Sequence, residues 1–267
     1  GLPMGIWAAW VPVGSVIAFN TAPLIERAFG WRAIWWAGAL FAAAALILFA
    51  LLAREPGRAA AAPPHVPPRE ALRALLNPAS WLLALTFGAF AFGQLGYTTW
   101  APSYLTTRLS IAPATASFYT SLLFLAGIAA NVSAGWAMNH IAHRAALPAA
   151  AMLATAVLFW WGFDLPGAGA AVLYMLALGL VSNAIPTAVF TLAPDTVKRP
   201  ESISLAVAAV NVVSNVGVLL GPPVVGALVA GGQWRAGTLV LVAVSAVGFF
   251  AALLAWRALQ RAPREVV

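Results

Sequence analysis

Eight runs of this chain are long enough and apolar enough to cross a lipid bilayer: residues 4–25, 33–53, 80–105, 114–138, 146–163, 168–192, 203–230 and 236–256. A spanning helix needs about 20 predominantly apolar residues, because the hydrocarbon core is about 30 Å thick. No water reaches that core, so each run must bond its own backbone amides, and the runs must be helices. A membrane barrel would show alternating polarity over segments of about ten residues, and residues 33–53 show none. Hydrophobic residues make up 63% of the 267 residues and charged ones 8%, against about 25% charged in a soluble domain. The expected fold is therefore an all-α polytopic membrane protein with eight transmembrane helices.

The net charge of +7 does not point to nucleic acid, because the basic residues are scattered through short connections rather than gathered on one face. With eight spans both ends lie on one side. Connections on that side carry ten of the fourteen Lys and Arg residues; the other side carries only Arg27, Arg32, Arg108 and Arg235. The positive-inside rule places the ten in the cytoplasm. The expected locale is a bacterial inner membrane, with the 54–79 linker and the 257–267 tail cytoplasmic. Trp31, Trp35, Trp36, Trp81, Trp160, Trp161, Trp234 and Trp256 fall near span ends, as in an interfacial aromatic belt. Within the linker, Arg69–Leu76 alternates charged and leucine positions in the pattern of a short helix lying on the membrane surface.

The absence of cysteine excludes a disulfide scaffold and a Cys-based metal site. His65, His140 and His143 fall in loops, and no metal is expected. The chain opens Gly-Leu-Pro-Met with no charged segment before its first apolar run, so no cleavable signal peptide is read there.

The last two runs resemble the first two. Shifted by 203 positions, Gly14 falls on Gly217, Trp31 on Trp234 and Arg32 on Arg235, with no gap, and prolines recur late in the first run of each pair at Pro23 and at Pro222–Pro223. Transporters are commonly built from such repeated bundles. If runs 1–2 correspond to runs 7–8, the repeat unit is six helices, and four more helices are expected ahead of residue 1. The domains then read as residues 1–53 closing an N-terminal bundle, the 54–79 linker, and a six-helix C-terminal bundle over 80–256.

On these features the chain resembles the major facilitator superfamily, from that family's fifth helix to its end. The linker falls where the family joins its two halves. Gly135-Trp-Ala-Met-Asn139-His140-Ile-Ala-His143-Arg144 resembles the family's loop motif, Gly-x-Leu-Ala-Asp-Arg-x-Gly-Arg-Arg, with Asn139 in place of its acid and Ala142 in place of its second glycine. Gly217–Gly226 followed by Trp234-Arg235 is similar to its eleventh helix and the turn after it. Gly5–Trp10 with Pro12–Gly14 is most similar to anion and cyanate permease branches. The resemblance implies secondary or facilitative transport by alternating access, an organic or inorganic anion among the solutes, and a proton or other ion as a coupling partner.

No Asp, Glu, Lys or Arg lies well inside any run. Such charges usually mark ion pathways, and acid, base or metal chemistry needs them too, so an enzyme is not expected. No phosphate loop or dinucleotide fingerprint is present, and no cofactor is expected. The candidates are neutral. Gln94, Tyr97 and Thr98 share one helical face at i, i+3 and i+4, with Trp100 nearby. In the sixth run Asn183 and Thr187 lie one turn apart, and Pro186 leaves the carbonyl of Ser182 without its usual partner. Asn211 and Asn215 flank Ser214 in the seventh run. The family resemblance places the third and sixth runs on the cavity wall, so Gln94, Tyr97, Thr98, Trp100, Asn183, Thr187 and Asn211 are the expected solute contacts; Trp7, Trp10 and Asn20 are weaker ones. The competing reading is hydrogen bonding between helices, worth about 1 kcal/mol in a membrane. Gly14, Asn131, Gly135, Asn139, Arg144, Pro186, Gly217 and Gly221 read as packing or gating positions. The alternative to a transporter is a membrane sensor, scaffold or assembly subunit.

Overall fold

The structure is a computed structural model that describes residues 1–53, 76–197 and 199–261. Apart from Leu76, the expected surface helix lies outside the described residues. The described chain is helical, with no strand. Its helices are α1 (Leu2–Ala8), α2 (Trp10–Phe29), α3 (Trp31–Leu52), α4 (Pro78–Leu109), α5 (Pro113–His140), α6 (Leu147–Phe159), α7 (Ala168–Ser182), α8 (Ala184–Leu192), α9 (Ile203–Val229) and α10 (Trp234–Arg261).

Two runs are interrupted, and proline explains both. Pro12 has no N–H for the carbonyl of Ala8, and Pro186 has none for the carbonyl of Ser182; a helix loses its ladder bond and meets a steric clash at such a point. The chain breaks one residue later in each case, at Ala9 between α1 and α2 and at Asn183 between α7 and α8. Other ends follow ordinary capping. Asn77 accepts a hydrogen bond from the N–H of Ala79 at 3.0 Å with Pro78 in the first helical position, a favoured start. The α2–α3 turn passes through Gly30 at φ 79° and the α9–α10 turn through Gly231 and Gly232 at φ 80° and 83°, so both hairpins turn on left-handed glycine. Each second helix then begins at its Trp-Arg pair.

The fifth run departs from the expectation of eight full-length spans. Seven segments reach crossing length, whereas the fifth helix covers only Arg144–Phe159. A 3₁₀ turn and thirteen α-helical residues reach about 25 Å. Residues 160–164 continue as turns with backbone bonds three residues back, and Trp160 and Trp161 stay exposed. Phe163 and Leu165 are buried, and the N–H of Leu165 donates to the Tyr104 hydroxyl at 2.7 Å.

Helix α4 is the hub and packs chiefly on α9 and α10, while α5 pairs with α7 and α6 with α10. The α4–α9 contact depends on missing side chains. A methyl group on Gly221 would lie 2.5 Å from the carbonyl oxygen of Phe92, and one on Gly217 would collide with that of Gly88. The same device seats α1 on α5, where Gly5 and Gly135 leave no room for a Cβ. Small residues at such spacing let helices approach closely in a membrane. Gly14 differs: a methyl there meets nothing within 4 Å. Helix α3 packs lightly on α2, and none of its 22 residues is buried.

This packing has a direct test. Gly217→Leu forces α4 and α9 apart, an overpacking cost of about 1–3 kcal/mol or more, and the detergent-solubilised protein aggregates at a lower temperature on size exclusion after heating. Gly14→Leu leaves that temperature unchanged.

Candidate functional site

A cavity of about 360 Å³ lies between the first hairpin and the bundle, walled by α1, α2, α4, α5, α8 and α9. Small-molecule sites commonly occupy about 300–1,000 Å³, mostly apolar with a few placed polar groups. Both proline breaks face it: Ala8 and Pro12 line one side, Asn183 and Pro186 the other.

The wall is stratified. Helix α4 and the α7–α8 segment run in opposite directions. Phe87 precedes Gln94 by seven residues, and Asn183 precedes Phe190 by seven. The antiparallel course therefore sets amide against amide and ring against ring. Gln94 Nε2 donates to Asn183 Oδ1 at 3.3 Å, and the Phe87 and Phe190 rings meet edge-on with centroids 5.1 Å apart. Seven residues of helix separate the two levels by about 10 Å. The ring level continues on both flanks, with Trp7 edge-on to Phe190 at 5.5 Å and Phe90 stacked on Phe87 at 5.6 Å. Among the described residues no charged side chain lines the cavity.

The expected contacts divide on inspection. Gln94, Asn183 and Asn211 line the cavity, as do Asn131 and Pro186. Gln94 also accepts from the Ser182 hydroxyl at 3.3 Å, so it holds both residues at the α7–α8 break. Gly127 makes this possible, since a methyl there would lie 2.7 Å from the Asn183 carboxamide. Tyr97, Thr98, Trp100 and Thr187 turn elsewhere. Tyr97 is fully buried among Phe159, Phe163 and Tyr174. Thr98 donates to the Gln94 carbonyl at 2.8 Å, and the Trp100 indole N–H donates to the Pro222 carbonyl at 2.8 Å. Thr187 donates to Asn131 Oδ1 at 2.8 Å, while Asn131 Nδ2 donates to the Gly127 carbonyl at 2.9 Å. Asn20 donates to the Ser121 hydroxyl at 2.9 Å and ties α2 to α5.

Sequence reasoning passed over Phe87, Phe90, Phe190 and Ser15. The paired seven-residue offsets between phenylalanine and amide were the available signal. Among the described residues Asn211 and Asn215 bond only to carbonyls of their own helix, at 3.0 and 2.9 Å. They sit on either side of Val213, which packs on Gly88, so they stand level with Phe87 on the α9 wall.

At the end of the bundle where Leu76 and Asn139 lie, Arg144 pairs with Asp195 at 2.7 Å. Asn139 sits beside Gly1, where an added methyl would lie 2.5 Å from its Oδ1. Asn77 Nδ2 donates to the Thr196 carbonyl, and the Ser80 and Thr196 hydroxyls share a hydrogen bond at 2.7 Å, which fastens the start of α4 to the end of α8. His140 stacks on Trp136, and among the described residues no three His, Cys, Asp or Glu side chains gather to hold a metal.

The Asn131–Thr187 bond is fully buried. Thr187→Val keeps the shape and leaves Asn131 Oδ1 unpaired, so it destabilises by about 1 kcal/mol, seen as a lower unfolding temperature in detergent. Thr187→Ser keeps the hydroxyl and most of the stability.

A family model described as Major Facilitator Superfamily matches residues 1–199 and, in a second overlapping match, 104–266. A comparison with curated proteins gives no match. The matched family consists of transporters that carry small molecules through the lipid bilayer, and its match spans nearly the whole sequence along with the seven crossing-length helical segments. The chain belongs to the Major Facilitator Superfamily.

Proposed function

We propose that the stratified cavity is this chain's share of a solute site that works by alternating access. Gln94 and Asn183 supply the central polar contacts, with Asn211 at the second level. The first hairpin, α1–α2 with α3, moves against α5 and α8 to expose the cavity to one side of the membrane and then the other. The observation that carries this reading is the cavity's position, between an element outside the six-helix bundle and the bundle's own broken helix α7–α8. The described wall offers hydrogen bonds and ring surface but no charge. An anionic solute or a coupling proton would therefore meet its charged partner outside this wall. No observation favours a sensor or scaffold.

An uptake screen with the gene that encodes this chain tests the reading. With a transported solute in hand, Gln94→Ala and Asn183→Ala each raise the half-saturating concentration about tenfold, the equivalent of about 1.4 kcal/mol, while membrane abundance holds. Unchanged kinetics in both variants remove the site assignment.

The distribution of basic residues supports a cytoplasmic linker and C-terminal tail. Accordingly, Gln233→Cys is labelled in intact cells by a membrane-impermeant maleimide, and Leu76→Cys only after permeabilisation. Both positions are exposed, and the reverse pattern inverts the topology.

A further inference from the structure

We propose that the cavity takes an uncharged amphipathic solute: a planar ring bearing a hydrogen-bond donor, joined to a carboxamide-like head about 10 Å away. The inference rests on the cavity being the solute site, and it specifies what that site selects.

Three features of the wall argue for this class. The first is the separation of its two levels. A solute that spans both meets rings at one end, Trp7, Phe87 and Phe190, and amides at the other, Gln94 and Asn183. Aromatic side chains favour edge-on or offset contact with another ring over contact with an arbitrary apolar body. Trp7 is 54% exposed, so its surface is open to such a partner.

The second feature is the state of the amides. The Gln94–Asn183 and Ser182–Gln94 bonds are both 3.3 Å long, beyond the usual optimum of about 2.9 Å. A carboxamide, which both donates and accepts, can exchange with them at little cost. Asn183 Nδ2 keeps its bond to the Gly179 carbonyl at 3.1 Å, so the exchange falls on its Oδ1 and on Gln94; Asn131 differs, because its bonds to Thr187 and the Gly127 carbonyl are both short, at 2.8 and 2.9 Å. At the ring level the carboxamide oxygens of Asn211 and Asn215 accept no hydrogen bond among the described residues. A phenol or indole donor on the solute's ring fits there.

The third feature is charge. Among the described residues nothing ionisable lines the cavity. A carboxylate or ammonium entering it loses its hydration without gaining a counter-charge, so the wall favours the neutral form of an otherwise identical solute.

These 267 residues contain no cysteine, which permits a direct test. Ser15 lines the cavity. Ser15→Cys, introduced into the gene that encodes this chain, is alkylated with N-ethylmaleimide in isolated membranes, against the unsubstituted parent as background. Three compounds are compared at equal millimolar concentration: 6-(4-hydroxyphenyl)hexanamide, whose extended chain sets ring and carboxamide about 10 Å apart, hexanamide, which lacks the ring, and 6-(4-hydroxyphenyl)hexanoate, which carries a charged head. The first slows alkylation at least fivefold and the other two less than twofold. Adding Phe190→Leu, which keeps apolar bulk and removes the ring, brings protection by the first compound below twofold. Equal protection by hexanamide overturns the ring contact, and equal protection by the carboxylate overturns the selection for a neutral head. If Ser15→Cys reacts but no compound protects it, the ligand class fails and the cavity reading stands. If it does not react at all in the absence of compounds, the cavity reading fails and this inference with it. Val218→Cys, also on the wall, serves the same comparison should Ser15→Cys reduce membrane abundance.

Discussion

In hydrocarbon every backbone carbonyl must find a donor inside the protein, and the architecture follows from where that demand is relaxed. An unsatisfied group costs several kcal/mol in lipid, so a helix can break only where protein or a polar cavity lies alongside. Pro12 and Pro186 break their helices at the wall of the same cavity. Pro102 lies within the long helix α4, which continues through it. The two interruptions that divide a run into separate helices are thus the two that face the candidate site. This links a local property of proline to the placement of Asn183, the residue at the second break.

The same demand governs the side chains. Buried amides and hydroxyls in this bundle are mostly spent on one another or on carbonyls one turn back, as Thr98, Thr120 and Thr155 show. Such bonds neutralise polarity and leave little for a solute. Gln94, Asn211 and Asn215, whose bonds are long or incomplete, border open space, whereas the Tyr97, Tyr174 and Thr238 hydroxyls lie buried without a partner among the described residues. Packing supports this arrangement. Gly127 admits the Asn183 carboxamide, and Gly217 and Gly221 bring α9 close to α4.

Much of this was legible in the sequence. Apolar run length located every helix, because crossing a bilayer requires it. Gly217 and Gly221 were recognisable as packing positions from their spacing, and Pro186 as a break. The third run was harder. Gln94, Tyr97 and Thr98 share a face by periodicity, yet a face about 100° wide borders both the cavity and the bundle interior, and Tyr97 turned toward Phe159 and Phe163. Periodicity fixes direction only to within a side chain's width. Thr187 similarly found Asn131 on α5, a partner 56 residues away that no local pattern reveals. The ring level escaped notice because phenylalanine in a membrane helix is ordinary, and only the antiparallel pairing of two helices sets Phe87 opposite Phe190. The fifth run was read four residues past its regular helix, because Trp160, Trp161 and Phe163 are apolar while the chain there has passed into turns.

That short fifth helix bears on the surrounding lipid. Its regular part reaches about 25 Å against a hydrocarbon slab of about 30 Å, the turns through Trp160 and Trp161 extend it, and it packs on α10. Trp160 and Trp161 stand at its end, 45% and 50% exposed, and Arg235 lies over the Trp160 ring at 4.4 Å. Indole and guanidinium groups prefer the headgroup layer, so Trp160, Trp161 and Arg235 mark where that layer meets this end of the run. Their distance from Arg144, at the other end of the same run, sets the thickness of acyl chain that this side of the molecule matches.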